Sequence, residues 1–192
     1  MIRLGWLLLL AISVAVSAAT PPQTLELEFG ELGIDGYRDH NFRSPTPLSV
    51  PDGWTVDTTE LQRLVETDSP VLIDVQPTVL RPATDRQSAE WLPSQPRYHL
   101  PGSHWLPNVG YPELTPPMAA YFRHSLKKLT HGDQQRVIVF YCIADCWFSW
   151  NAVKRAASYG YRNLYWYRDG TDGWQESGLP LVKAEPEPLE AY

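Results

Sequence analysis

The residues best suited to chemistry in this sequence are its two cysteines, Cys142 and Cys146. Cys142 ends an apolar, β-branched run that begins at Val137, and an amphipathic helical pattern from Phe148 to Tyr159 follows. In a strand–loop–helix arrangement, the N–H groups of the loop and the positive end of the helix lower the pKa of a thiol. We therefore predict that Cys142 is a nucleophile whose sulfur faces a cradle of backbone N–H groups. The loop residues that form this cradle are Ile143, Ala144, Asp145 and Trp147.

The second cysteine adds redox chemistry to this loop. Residues four apart in a curled loop can bring their Cα atoms to roughly 6 Å, within the range that a disulfide tolerates. Cys146 can therefore pair with Cys142, or resolve a mixed disulfide or sulfenic acid formed on it. Because so small a ring restrains few unfolded conformations, it adds little stability, which favours a redox role. The alternative is a permanently closed disulfide, or two buried thiols, that hold the loop.

Two further residues of the loop have alternative roles. Asp145 would oppose thiolate formation at Cys142 if the two were close, or it could exchange a proton with Cys146. Trp147 lies at helical spacing from Trp150, which favours a place in the core. The alternative for Trp147 is an apolar lid or a point where a partner docks.

Strands and helices alternate along the rest of the chain. A strand at residues 55–56 precedes a helix whose first turn has capping-box spacing from Asp57 to Glu60. The continuous apolar run Val71–Val75 is typical of a strand buried on both faces. Short strands after residue 102, at 137–142 and at 164–167, with helices between them, complete the pattern. The sequence predicts an α/β domain with a mostly parallel, five-stranded sheet flanked by helices.

Polar residues near the strand ends are further site candidates. Asp74 lies inside a buried strand and must find donors, so it either fastens a neighbouring loop, which we favour, or takes part in catalysis. The segment from Gln76 to Pro96 is predicted to be a polar loop at the edge of the sheet where parallel-sheet proteins carry function.

Two other segments contain turn signals. His99 and His104 flank a Pro-Gly turn, and no cysteine or carboxylate completes a metal-ligand set, so we expect no metal here. The segment from Gly170 to Trp174, with Gly173 inside it, is predicted to be a glycine-bounded turn with an aromatic anchor.

The chain begins with a pattern typical of export. Arg3 precedes a short apolar run and small residues, which predicts a signal peptide over residues 1–19, the alternative being an uncleaved membrane anchor. Residues 20–54 are predicted to form an extended arm packed on the domain, in which residues 25–29 could add an edge strand. The domain itself is placed at residues 55–183, and residues 184–192 are predicted to be a flexible acidic tail.

Composition limits the partners of the exported chain. The formal net charge is −6 for the whole chain and −7 once Arg3 is removed with the signal peptide, and this acidity argues against nucleic acid. After signal cleavage no contact with a membrane is expected. Outside the cytosol thiols are not kept reduced, which favours a disulfide as one state of the cysteine pair.

Four motifs, in order, resemble those of a rhodanese-like domain. They are Val71–Val75, His99–Ser103, the strand that ends at Cys142, and a glycine-rich C-terminal signature from Gly160 to Pro180. The resemblance covers roughly residues 55–182 and implies the rhodanese fold. It also implies supporting roles beside the cysteine loop for Asp74, Gln76, His99, Gly173 and Trp174.

A closer resemblance rests on the Cys-x-x-x-Cys-Trp motif of Cys142, Cys146 and Trp147. It is similar to that of bacterial rhodanese-like proteins linked to pyrroloquinoline quinone (PQQ)-dependent alcohol catabolism. This resemblance implies a periplasmic location and a dehydrogenase, cytochrome or transport protein as partner. It implies no cofactor on the chain itself, because PQQ is linked to this family through the pathway.

Two departures from active rhodaneses bear on the reaction. Gln76 stands where an Arg usually follows Asp-Val, and Trp147 stands where an Arg often closes the cysteine loop. Such cations hold thiosulfate and favour a thiolate, so we expect thiol–disulfide or persulfide chemistry instead. The alternatives are a thiosulfate-type sulfurtransferase and a non-catalytic docking module of a quinoprotein dehydrogenase system.

Overall fold

The structure, a computed structural model, describes residues 32–189. Its strands are β1 (Trp54–Val56), β2 (Val71–Asp74), β3 (Val79–Arg81), β4 (Glu90–Leu92), β5 (Arg97–His99), β6 (His104–Trp105), β7 (Ile138–Tyr141), β8 (Leu164–Tyr167) and β9 (Val182–Ala184). Its α-helices are α1 (Thr58–Asp68), α2 (Pro116–Leu129), α3 (Trp147–Ser158) and α4 (Gly170–Glu176). Five parallel strands form the central sheet in the order β1-β8-β7-β2-β6. The α/β fold predicted from the sequence is therefore confirmed.

The sheet is buried on both faces, as its continuous apolar strands predict. Ile73 and Phe140 point into one cluster, which also contains the apolar side chains of α2 and α3. Leu72 and Val139, one position away on the same strands, point into a second cluster with α1 and Trp174 of α4. Alternate residues of each strand thus serve opposite faces, and β7 brings its C-terminal end to the middle of the molecule.

The described part of the N-terminal arm packs on the domain. Tyr37 and Val50 are buried, and the side chain of Asn151 in α3 both accepts from the N–H of Arg38 and donates to its carbonyl. The predicted signal peptide and the suggested edge strand at residues 25–29 lie outside the described residues. In residues 32–189, every helix is too short or too polar to cross a lipid bilayer.

Two predictions of local structure are wrong. Residues 76–96 contain a two-stranded hairpin, in which β3 pairs with β4, rather than loop alone. Residues 170–174 belong to helix α4 rather than to a turn. In both places burial overrides weak local signals, because Trp91 of β4 and Trp174 of α4 pack into the core.

The prediction of a flexible tail is also wrong for residues 184–189. β9 pairs with β5, and Ala184 is buried. The backbone of Glu187 donates to Trp105 O at 2.8 Å and accepts from the indole N–H of Trp91 at 3.0 Å. The acidic composition of the tail suggested flexibility. Most of its contacts are made by backbone groups rather than by carboxylates, so composition did not reveal them.

Shortening the chain to end at residue 184 tests this attachment. We expect the free energy of unfolding to fall by about 1–3 kcal/mol, since the buried indole of Trp91 loses its acceptor. Urea unfolding of this chain and of a chain ending at residue 189 measures the difference. An unchanged midpoint in the shorter chain would contradict the packing of the tail.

Candidate active site

The cysteine loop begins where the central strand β7 ends. The carbonyl of Cys142 accepts from the N–H of Thr171 at 3.0 Å, and Ile143 pairs with Gly170 in an isolated bridge. The N–H of Ala144 donates to a carboxylate oxygen of Asp172 at 3.1 Å. The N-terminal turn of α4 therefore holds one side of the loop, which is a role that the sequence did not reveal.

The loop turns sharply between its two cysteines. Asp145 is exposed and has φ of 49°, a left-handed conformation that Asp tolerates better than most residues. Cys146 then becomes the N-cap residue of α3. Both cysteines are free and buried, and their thiol groups lie within hydrogen-bonding reach of each other.

The surroundings of Cys146 favour its thiolate. Donation from the Cys142 thiol lowers the pKa of Cys146, and the backbone N–H groups of Phe148 and Ile143 lower it further, against an opposing effect of burial. The guanidinium of Arg43 also favours the charged form. The amide cradle predicted for this loop thus serves the sulfur of Cys146 at the N-terminus of a helix.

Cys142 is held as a neutral thiol. Burial raises the pKa of Cys142 well above its ordinary value, and the interaction with Cys146 raises it further. Its Sγ also lies 3.0 Å from Oε1 of Gln76, a second acceptor for the same S–H proton, which donates to one of the two acceptors at a time. In this arrangement the donors around the loop favour the thiolate of Cys146, whereas the sequence predicted that the sulfur of Cys142 faces the cradle.

A buried ion pair lies beneath the loop. Asp74 is fully buried and accepts from Nε of Arg97 at 2.7 Å and Nη2 of Arg97 at 3.1 Å. It also accepts from the backbone N–H of Gln76 at 3.0 Å. Nη2 of Arg97 reaches the carbonyl of Cys142 at 3.4 Å. Asp74 thus fastens β5 and the β2 end to the loop, as the favoured interpretation predicted.

His99, Gly173 and Trp174 support the scaffold around this site. Burial lowers the pKa of His99, whose Nδ1 lies 3.9 Å from Asp74. A Cβ on Gly173 would lie 2.5 Å from Cβ of Asp169, so the packing of α4 requires glycine. The indole N–H of Trp174 donates to Pro180 O at 3.0 Å. Within residues 32–189, no group of three His, Cys, Asp or Glu side chains is placed to hold a metal ion.

The arm covers the other side of the loop. The N–H of Trp147 donates to Phe42 O at 3.0 Å, and its indole N–H donates to Oγ of Ser44 at 3.1 Å. Arg43 pairs with Cys146 in an isolated antiparallel bridge. Trp147 is 2% exposed, so its predicted place in the core is confirmed.

A cavity of about 230 Å³ opens on the Cys142 side of the loop. Its polar lining comes from Gln76, Thr78, Ser94, Gln95 and Arg97. Gln76 and Arg97 contact both this cavity and Cys142, so a small polar group in the cavity would lie near the neutral thiol.

Comparison with known proteins identifies the class. The family profile of the rhodanese-like domain matches residues 57–177, which is more than half of the chain. The chain therefore belongs to the rhodanese-like domain family. Comparison with curated proteins found no match.

Three solved structures illustrate the shared fold. The polysulfide-sulfur transferase homodimer from Wolinella succinogenes is 17% identical, with a TM-score of 0.41 over 68% of this chain and 79% of that chain. Thiosulfate sulfurtransferase from Pseudomonas aeruginosa is 17% identical, with a TM-score of 0.48 over 73% of this chain and 22% of that chain. The 3-mercaptopyruvate sulfotransferase SseA from Escherichia coli is 18% identical, with a TM-score of 0.46 over 71% and 53%. These likenesses leave the reaction of this chain open.

Sequence reasoning missed three residues that shape the site. Arg97 and Arg43 bring positive charge to the two cysteines, although they are 45 and 103 positions from Cys142 and Cys146 respectively. Gly170 touches the loop directly. The sequence placed Gly170 at the start of a glycine-bounded turn but did not reveal its contact with the loop, because spacing in sequence does not show which residues meet across the sheet.

Substituting Gly170 with alanine tests the support that α4 gives to the loop. Its φ is 57°, and a Cβ would lie 2.6 Å from Cys142 O, so the loop must shift. Gly178→Ala is the matched control, because Gly178 has φ of 75° but open space around it. We expect Gly170→Ala to cost about 1–3 kcal/mol more than Gly178→Ala in urea unfolding. Equal losses would show that the close contact does not matter.

Proposed function

We propose that this protein carries out thiol–disulfide exchange, with Cys146 as the attacking thiolate and Cys142 as the resolving thiol. The observation that carries the proposal is the contact between two free thiols of unlike acidity at the N-terminus of α3. Such a pair can alternate between a dithiol and a disulfide. The neighbouring N–H groups and the guanidinium of Arg43 favour the reduced, charged form of Cys146.

The first step forms a mixed disulfide. The Cys146 thiolate attacks one sulfur of a substrate disulfide, and a new S–S bond joins Cys146 to that sulfur. The substrate's own S–S bond breaks, and its second sulfur leaves as a thiolate that takes a proton from water. Proton donation from Cys142 stabilises the attacking thiolate before this step.

The second step closes the protein disulfide. Cys142 loses its proton to water, where it neutralises the hydroxide left by the first step, and Arg97 lowers the cost of the negative charge on its sulfur. The Cys142 thiolate attacks the sulfur of Cys146, and the first substrate sulfur leaves as a thiolate. The protein gives two electrons to the substrate and becomes oxidised, and a dithiol protein would reduce it again. Run in reverse, the same steps oxidise a substrate dithiol.

Thiosulfate transfer is the alternative. The loop N–H groups that would bind thiosulfate already have acceptors within the protein, which argues against this reaction. The N–H groups of Ile143 and Phe148 donate to the sulfur of Cys146. The N–H of Ala144 donates to Asp172, and the N–H of Trp147 donates to the carbonyl of Phe42. An incoming dianion would have to displace these acceptors, and the carboxylate of Asp172 would repel it. Exposed Asp145 adds a second negative charge to the same loop.

For the biological setting, we propose a periplasmic protein of PQQ-dependent alcohol catabolism, supported by the predicted signal peptide and the Cys-x-x-x-Cys-Trp motif. The partner would be a dehydrogenase, cytochrome or transport protein of that system. Capture of partners from periplasm by the wild type and by a variant with both cysteines changed to alanine separates chemistry from docking. Partners that depend on the cysteines support exchange, whereas unchanged partners support the accessory module.

Single cysteine variants test the two roles. With a chromogenic aromatic disulfide, Cys142→Ser should form a stable mixed disulfide on Cys146, because the resolving thiol is gone. Cys146→Ser should react slowly, because burial raises the pKa of Cys142 and keeps its thiol neutral. Intact mass before and after the reagent measures the adducts, and the wild type should lose about two daltons on forming its disulfide. The opposite pattern, with trapping on Cys142, would overturn the assignment.

The pH dependence of alkylation tests the unlike acidity. Because only a thiolate is alkylated, Cys146 should reach half its maximal rate at a lower pH than an ordinary cysteine, and Cys142 at a higher pH. Cys142→Ala removes the donor and should raise the pKa of Cys146. Cys142→Ser keeps a donor and is the matched control. Equal midpoints in these two variants would contradict the hydrogen bond.

A further inference from the structure

The N-terminal arm meets the active site through a segment that is fixed on both sides of one residue. Before Arg43, the carbonyl of Phe42 accepts from the N–H of Trp147, and the Phe42 ring stacks on Phe148 at 4.5 Å between centroids. After it, Oγ of Ser44 accepts from the indole of Trp147 at 3.1 Å. The backbone of Arg43 itself pairs with that of Cys146.

The side chain of Arg43 is nevertheless exposed. An exposed cation on a backbone that is held beside a reactive sulfur is in a position to meet an approaching substrate. Arg97, a second cation near the cysteines, is paired with buried Asp74 and lies on the Cys142 side. Of these two cations, Arg43 is therefore the one whose charge is available to a substrate of Cys146.

We propose that Arg43 is a specificity-determining residue of this site, which stabilises the reactive sulfur of Cys146 and attracts substrates with an anionic group next to their disulfide. This inference rests on the proposed role of Cys146. It adds that the site is incomplete without the arm, because Arg43 lies outside the matched domain at residues 57–177. A disulfide flanked by carboxylates is the chemical class that fits.

Other charges face the same sulfur and must be considered with Arg43. Cys142 lies opposite it, Asp145 precedes it in the loop, and Asp172 of α4 contacts the loop backbone. Arg38 lies over the ring of the next residue, Trp147, at 4.9 Å. Beyond Cys142 lie Asp74 and Arg97, which act on that thiol. The carboxylates oppose an anionic substrate, so removing Arg43 should leave a site that disfavours anions.

Charge-selective alkylation tests this inference without any turnover of a disulfide. In the whole chain with Cys142→Ser, Cys146 is the one cysteine left, and its rates with iodoacetate and neutral iodoacetamide can be compared. Arg43→Gln should lower the rate with iodoacetate, relative to the rate with iodoacetamide, by about 1.5- to 5-fold at low salt. It should also raise the pH at half-maximal rate by about 0.2–0.7. Both effects should shrink as salt screens the exposed charge.

Arg43→Lys should keep the wild-type ratio and midpoint, because the positive charge remains. Arg63→Gln changes an exposed arginine of α1 in the same way and should alter neither quantity. Urea unfolding of each variant checks that its fold is intact. An Arg43→Gln protein that matches Arg63→Gln in the rate ratio overturns the proposal. Failure of the proposed function would look different, since Cys146 would then titrate as an ordinary cysteine in every variant.

Discussion

Cys142 and Cys146 face each other inside the protein, where a charged sulfur is costly unless donors surround it. Their contact reduces this cost for Cys146, because the neutral thiol of Cys142 can donate a hydrogen bond to its thiolate. Donation by Cys142 is the largest influence that lowers the pKa of Cys146, and burial is the largest that raises the pKa of Cys142. The proposed redox chemistry follows from this difference between the two thiol pKa values. The more acidic thiol attacks the substrate, and its neighbour stays protonated until the second step.

The difference in pKa between the two thiols depends on how the rest of the fold holds the cysteine loop. Left-handed Asp145 turns the chain so that Cys146 begins a helix, while Gly170 lets a neighbouring backbone approach the carbonyl of Cys142 within a distance that no side chain would permit. The arm closes the opposite side through Phe42. Because the loop is supported from two directions that belong to distant parts of the sequence, its geometry is a property of the whole fold and not of the Cys-x-x-x-Cys spacing alone.

The sheet could be predicted because its signals are local. Runs such as Val71–Val75 show burial on both faces directly in their composition, and capping at Asp57 marks where α1 begins. The thiol pair could be predicted for the same reason, since four-residue spacing is visible in the chain. Which thiol is acidic could not be predicted. That depends on N–H groups, burial and an arginine that meet only after folding, and the glycine-rich sequence of α4 concealed a helix that tertiary packing stabilises.

The departures from the rhodanese pattern acquire a physical meaning in this arrangement. Gln76 replaces a cation with a neutral amide that accepts a hydrogen bond from a thiol, and Trp147 replaces a loop cation with a buried ring that anchors the arm. Positive charge has not been lost from the site; it comes instead from Arg97 and Arg43. Because Arg97 is balanced by Asp74, it can offset charge on Cys142 without binding a free dianion. A neutral thiol inside the site and an exposed cation at its edge support the proposed thiol–disulfide exchange over thiosulfate transfer.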